Sequence, residues 1–205
     1  MNIEEGQKKN ELKVILLGNS GVGKTNLINT SMGNNFDEES QTTTTATFSQ
    51  KEIKIGKESY YLDLWDTAGQ EKYQSVTKIF LKKSQIVVFV YDITDENSFN
   101  DLEKWIELSE EMIDNEHVCG IAGNKADLYS KEKVKEEIAR LYAESKKMQF
   151  QLVTAKDNPS LFTNFLKDLV MEHKGCTKSE QIETIVLKED NKLTKKEKCN
   201  CKFSK

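Results

Sequence analysis

An α/β fold, a mostly parallel six-stranded sheet with helices on both faces, is what this sequence predicts, and three observations carry that prediction. Short apolar runs alternate with longer amphipathic stretches along most of the chain. The run IVVFVY at 86–91 is apolar at successive positions, as a strand covered on both faces requires. Three polar motifs each follow such a run directly, which puts them at carboxyl ends of strands, where open α/β sheets bind ligands.

Taken in order, residues 13–17 (KVILL) form a first strand that stops at Gly18, and a helix is expected from Lys24 to about Met32. Residues 48–55 and 60–65 read as two strands of a hairpin joined by Gly56-Lys57-Glu58-Ser59. The buried strand 86–91 follows, with further central strands at 118–122 and 150–153. Amphipathic stretches at about 98–114, 131–147 and 160–173 supply the covering helices. After His173 the periodicity gives way to polar and charged residues. The expected layout is an N-terminal extension (1–10), one domain (11–173) and a flexible C-terminal tail (174–205), since 205 residues suit a single core.

Charged residues make up 31% and hydrophobic ones 37%, with one proline, the balance of a soluble globular chain rather than a disordered or fibrous one. No apolar run is long enough to span a bilayer. The acidic, polar N-terminus with Asn at position 2 has neither a secretory signal nor a myristoylation glycine, so a cytosolic protein is expected. Cysteines at 119, 176, 199 and 201 form no CxxC pair, which argues against zinc and disulfide frameworks. Cys119, in an expected core strand, reads as packing, and His117 and His173 receive no role. The net charge is −4, but seven lysines against Glu189, Asp190 and Glu197 leave 188–205 at +4 and the remainder at −8. Such a tail suits an acidic surface.

Between the first strand and its helix lies Gly18-Asn19-Ser20-Gly21-Val22-Gly23-Lys24-Thr25, which satisfies G-x-x-x-x-G-K-[ST]. Glycines let the backbone turn N–H groups onto phosphates, Lys24 neutralises the outer ones, and Thr25 offers a hydroxyl to Mg²⁺. Asn26 completes the set. Alone, the motif does not separate GTP from ATP, and a glycine-rich turn would read the same way.

Asp66-Thr67-Ala68-Gly69-Gln70 follows the strand 60–65. Asp66 is positioned to hold Mg²⁺ through water, Gly69 to present its N–H to a γ-phosphate, and Gln70 to orient an attacking water. Asn124-Lys125-Ala126-Asp127 follows the strand 118–122. Asp127 can accept from guanine N1–H and the 2-amino group, a donor pair that adenine lacks, and would be left unpaired with the wrong base. As an isolated N-K-x-D it would read as a helix cap; third in order after the other two, it points to guanine.

These motifs, with Leu64 to Tyr73 (LWDTAGQEKY) and Tyr91 to Phe99 (YDITDENSF), resemble the Ras-like small GTPases, and among them the Rab family, over approximately residues 10–173. The resemblance implies a P-loop NTPase fold and a GTP/GDP switch dependent on Mg²⁺. It implies that Phe36 packs on the guanine, that Thr154-Ala155-Lys156 forms the base-contacting loop, and that Thr43, by its count from Lys24 and from Asp66, is the switch threonine. Lys24, Thr43 and Gln70 are then the catalytic set, and Thr25, Thr43 and Asp66 the metal ligands. Phe48, Trp65 and Phe80 resemble the aromatic triad on which Rab effectors read the switch. The run Thr42 to Thr45 and the stretch Lys78 to Ser84 depart from the usual pattern where effectors and exchange factors bind.

The tail ending Cys199-Asn200-Cys201 resembles the doubly geranylgeranylated ends of Rabs, although four residues follow Cys201 and no C-a-a-X box exists. The implied partners are effectors, an exchange factor, a GTPase-activating protein, a GDP-dissociation inhibitor and the cytosolic face of intracellular membranes, for a monomer with no nucleic-acid partner. Intrinsic hydrolysis is expected to be slow, because the only arginine, Arg140, falls in a helix after the guanine motif and cannot act in cis. Three alternatives stand beside the trafficking switch: a guanine-nucleotide module with little or no turnover, a Ras-like signalling GTPase outside trafficking, and an ATP-dependent enzyme on the same fold.

Overall fold

The computed structural model describes residues 10–38, 43, 47–67 and 80–175. Six strands form one sheet: β1 (Glu11–Leu17), β2 (Thr47–Ile55), β3 (Glu58–Asp66), β4 (Ile86–Asp92), β5 (Val118–Asn124) and β6 (Gln149–Leu152). Their spatial order is β2-β3-β1-β4-β5-β6. Among the described residues only the β2–β3 pair is antiparallel; β1 pairs in parallel with β3 on one side and β4 on the other. The chain therefore reverses its lateral direction across β1, the place where doubly wound sheets open a ligand crevice.

Helices α1 (Lys24–Ser31), α2 (Glu96–Asn100), α3 (Leu102–Met112), α4 (Glu136–Ser145) and α5 (Ser160–His173) cover the sheet, with a 3-10 turn over Ala126–Lys131. Alternate residues of each strand point to opposite faces, so the core divides in two. Val14 and Leu16 of β1, Leu62 and Leu64 of β3 and Val88 of β4 pack with Leu27 of α1 and with Phe162, Phe165, Leu166 and Leu169 of α5. On the other face Ile15, Leu17, Val87 and Phe89 pack with Leu102, Trp105 and Ile106 of α3 and Ala139 and Ala143 of α4. β4, buried at every position, contributes to both. Each large apolar side chain removed from water in these layers stabilises the fold by about 1.5–3 kcal/mol before entropy is counted.

Several boundaries differ from the sequence expectation. The hairpin turn is Gly56-Lys57 alone, because Ile55 pairs with Glu58 and Lys54 with Ser59, which makes those two polar residues part of β3. The amphipathic stretch 98–114 is broken at Asp101 into α2 and α3. α2 starts on Asp95, whose side chain accepts from the Asn97 backbone N–H at 3.1 Å, a helix N-cap. The helix expected over 131–147 is shorter, Glu136–Ser145. β5 extends to Asn124, so the third motif begins on the strand rather than after it.

Candidate functional site

A cleft of about 310 Å³ opens at the carboxyl ends of β1, β3 and β5, within the size range of small-molecule sites. The loop from Gly18 to Gly23 borders it through Ser20, Gly21 and Gly23. A Cβ on Gly18 would lie 2.1 Å from the Val90 carbonyl oxygen, so the loop leaves β1 pressed against β4 in a way no side chain permits. Gly23 has φ 94 and a Cβ there would come 2.4 Å from Asn124 Nδ2, which ties the start of α1 to the end of β5. Asn124 Nδ2 donates to the Val22 carbonyl at 2.8 Å across the same junction.

Lys24, the first residue of α1, is 5% exposed and donates to the Gly18 and Asn19 carbonyls at 2.7 and 2.9 Å. Burial pushes its ammonium pKa down to about 8, partly opposed by the charge of Asp66. Thr25 Oγ1 donates to Asp66 Oδ2 at 2.6 Å and lies 2.8 Å from Thr43 Oγ1, which is itself 3.2 Å from the same carboxylate oxygen. The Asp66 carboxyl is buried, and desolvation raises its pKa more than these hydrogen bonds lower it. Among the described residues its Oδ1 has no partner. Three hard oxygen groups and an orphaned buried carboxylate oxygen fit a hard divalent cation. Among the described residues no cluster of three or more His, Cys, Asp and Glu could hold a metal, so such an ion would complete its shell with other oxygens.

At the other end of the cleft, Asp127 Oδ1 accepts from Thr154 Oγ1 at 2.6 Å, and that hydroxyl accepts from the backbone N–H groups of Lys156 and Asp157 at 3.1 and 3.3 Å. Lys125 has left-handed backbone (φ 64) and an ion pair from its Nζ to Asp92 Oδ2 at 2.7 Å. Phe36 borders the cleft with Lys156 Nζ 5.7 Å from its ring centre. Asn26 holds the Phe36 segment by donating to the Asp37 carbonyl at 2.8 Å.

Ser20, Gly21, Gly23, Lys24, Thr25, Asn26, Phe36, Thr43, Asn124, Lys125, Asp127, Ala155 and Lys156 thus all line one cleft. Asn19, Val22, Asp66 and Thr154 do not: the Asn19 side chain turns towards α3, Val22 packs into the core, and Asp66 and Thr154 stand behind the lining, bonded to Thr25 and Asp127. Gly69, Gln70, Cys199 and Cys201 lie outside the described residues. Sequence reasoning missed Thr67, whose hydroxyl donates to the Leu16 carbonyl at 2.6 Å, and Glu38 and Leu128, which also line the cleft. It missed Asp92 as well, for which its place one residue past the buried run 86–91 was the available signal. Phe48, Trp65 and Phe80 do meet, with ring centres 5.4 and 4.9 Å apart along the series.

The Ras family model matches residues 13–173, and the chain is 39% identical over 153 residues to the Ras-related protein Rab-11B of Dictyostelium discoideum, covering 75% of this chain and 70% of that protein. The chain is a Rab-type small GTPase of the Ras family. Similarity extends to Rab-21 of Homo sapiens, 38% identical over 154 residues covering 75% and 68% of the two chains. It also extends to Rab-17 of Mus musculus, 33% identical over 193 residues covering 91% and 90%. The six-stranded sheet and the loop at Gly18 accordingly belong to a P-loop NTPase. As a Rab-type GTPase the protein binds guanine nucleotide, hydrolyses GTP and works through regulators and effectors of the kinds typical of that family.

Proposed function

We propose that this GTPase is a timed switch for vesicle traffic, acting from the cytosolic face of intracellular membranes. The observation that carries the reading is the meeting in one cleft of a phosphate end, Lys24 and Thr25, the latter bonded to Asp66 behind it, and a base end, Asp127, bonded to Thr154 behind it. In this reading the loop amides of Ser20 to Thr25 and the Lys24 ammonium hold the phosphates. Asp127 selects guanine, Phe36 and Lys156 flank the ring, and Asn124, Lys125 and Ala155 shape its seat. Thr25, Thr43 and Asp66 would hold Mg²⁺, which when bound neutralises phosphate charge. Thr43 and Gly69 would be drawn to the terminal phosphate and released after hydrolysis, which changes the surface that effectors meet. Gln70 orients the attacking water. The aromatic series Phe48, Trp65 and Phe80 is the proposed effector surface.

With Arg140 engaged by Glu136 on the exposed face of α4, no arginine supplies transition-state charge in cis. Single-turnover phosphate release from the purified protein is therefore expected on the order of 10⁻⁴ to 10⁻³ per second, and to accelerate greatly with a GTPase-activating protein. A rate near one per second without a partner would overturn the reading, as would no release with an activator present.

Membrane attachment is proposed to run through geranylgeranyl groups on Cys199 and Cys201, two chains being what stable anchoring needs, with the tail lysines adding attraction to anionic lipid. An exchange factor and a GDP-dissociation inhibitor would load and extract the protein. Tagged protein is expected on internal membranes with both cysteines present and dispersed in the cytosol with both replaced by serine. The same membrane pattern for the two proteins would sink the lipid anchor.

A further inference from the structure

A polar clasp outside the cleft ties the loop after β1 to α3. The Asn19 amide is used at both ends: Nδ2 donates to Asp101 Oδ2 at 2.8 Å, and Oδ1 accepts from the Trp105 indole N–H at 2.9 Å. Trp105 is 5% exposed and belongs to the second core, so packing fixes the direction of its N–H. Asp101 sits where α2 gives way to α3, and Lys104 donates to its other oxygen. Hydrogen bonds from Lys104 first and Asn19 second hold the Asp101 carboxyl below its usual range, so an ionised acceptor faces Asn19. The backbone carbonyl of Asn19 meanwhile accepts from Lys24 Nζ at 2.9 Å. One residue therefore has its side chain in the clasp and its peptide oxygen on the buried ammonium.

Neither Asp101 nor Trp105 lines the cleft. A loop with glycines at 18, 21 and 23 has much conformational freedom to lose when it closes on a ligand. The clasp removes part of that freedom beforehand. We propose that Asp101 and Trp105 are positioning residues for the bound nucleotide, fixing the Asn19 peptide that orients Lys24 and so setting how long nucleotide stays bound. This rests on the reading of residues 18–25 as the phosphate loop.

The test is release of a fluorescent GDP analogue from the full chain at fixed Mg²⁺ after addition of excess GDP. Failure of the parent protein to retain the analogue would overturn the reading of the loop itself, before any variant is compared. Trp105→Phe keeps the aromatic packing and removes the N–H, and is expected to release about fivefold to tenfold faster, the loss of one partly buried hydrogen bond. Asn19→Asp sets two carboxylates against each other and is expected to release at least about tenfold faster. Combining Asn19→Asp with Asp101→Asn rebuilds the bond with reversed polarity, the amide now at 101, and should restore release to within about twofold of the parent. Loss of packing alone would lower the thermal midpoint without such rescue. Parent-like release from both single variants overturns the proposal, and so does a double variant that releases as fast as Asn19→Asp. Asn19 and Asp101 lie outside both apolar cores, so the exchange pair decides the matter even if Trp105→Phe folds poorly.

Discussion

Lys24→Met is expected to weaken GDP binding by on the order of 10²–10⁴-fold, from the loss of two charge-assisted contacts to phosphate at about 1.5–3 kcal/mol each. The thermal midpoint of the nucleotide-free protein should move far less. The ammonium sits against the Gly18 and Asn19 carbonyls in a setting dry enough to push its pKa down to about 8. Losing those two hydrogen bonds is thus offset by no longer burying a charge. Phosphate oxygens, by contrast, would relieve the desolvated ammonium, so its energetic return comes only on binding. Isothermal titration with GDP beside thermal melts of the nucleotide-free protein checks both halves. Parent-like affinity, or a large drop in the nucleotide-free midpoint, would contradict this account.

Asp127→Asn is the second large effect. The change is isosteric, and the Thr154 hydroxyl can still donate to the side-chain oxygen, so the 2.6 Å link that fixes the base loop should survive and stability should change little. The other carboxylate oxygen becomes an NH₂ donor facing the two donors of guanine. A lost charge-assisted bond together with a donor–donor conflict predicts a GDP affinity lower by on the order of 10³-fold. Competition of GTP and ATP for labelled GDP on the parent and the variant reads this directly. The parent should prefer GTP strongly, and the variant should lose most of that preference. An unchanged ratio would remove Asp127 from base selection.

How far the sequence reaches can be judged from individual residues. The phosphate loop was legible because its chemistry is local: eight consecutive residues between a strand and a helix. β4 was legible because burial on both faces forbids polar positions. Turn length at 56–57 was not, since Glu58 and Ser59 are polar for the reason that they lie at the start of a strand near the sheet edge, where solvent tolerates them. The break at Asp101 was hidden too. Its cue is the carboxylate's bond to Asn19, 82 residues away, and periodicity along a helix carries no trace of such a contact. For the same reason the Asn19 side chain was grouped with its neighbours in the cleft although it turns to α3. The Asp92–Lys125 pair joins two strand ends that become neighbours only when β4 and β5 align.

The polarity of the sheet has a practical side. Most of the cleft-lining loops leave carboxyl ends of strands, while the Gly56-Lys57 turn precedes β3, which runs nine residues to Asp66, next to the cleft-lining Thr67. At about 3.3 Å per residue that places the turn roughly 25–30 Å from the ligand end. A fluorophore or affinity handle attached at Lys57 would ride on the same frame as the cleft without sterically entering it. The hairpin end is therefore the natural place to hold this protein to a surface or a probe while its nucleotide end remains open to exchange.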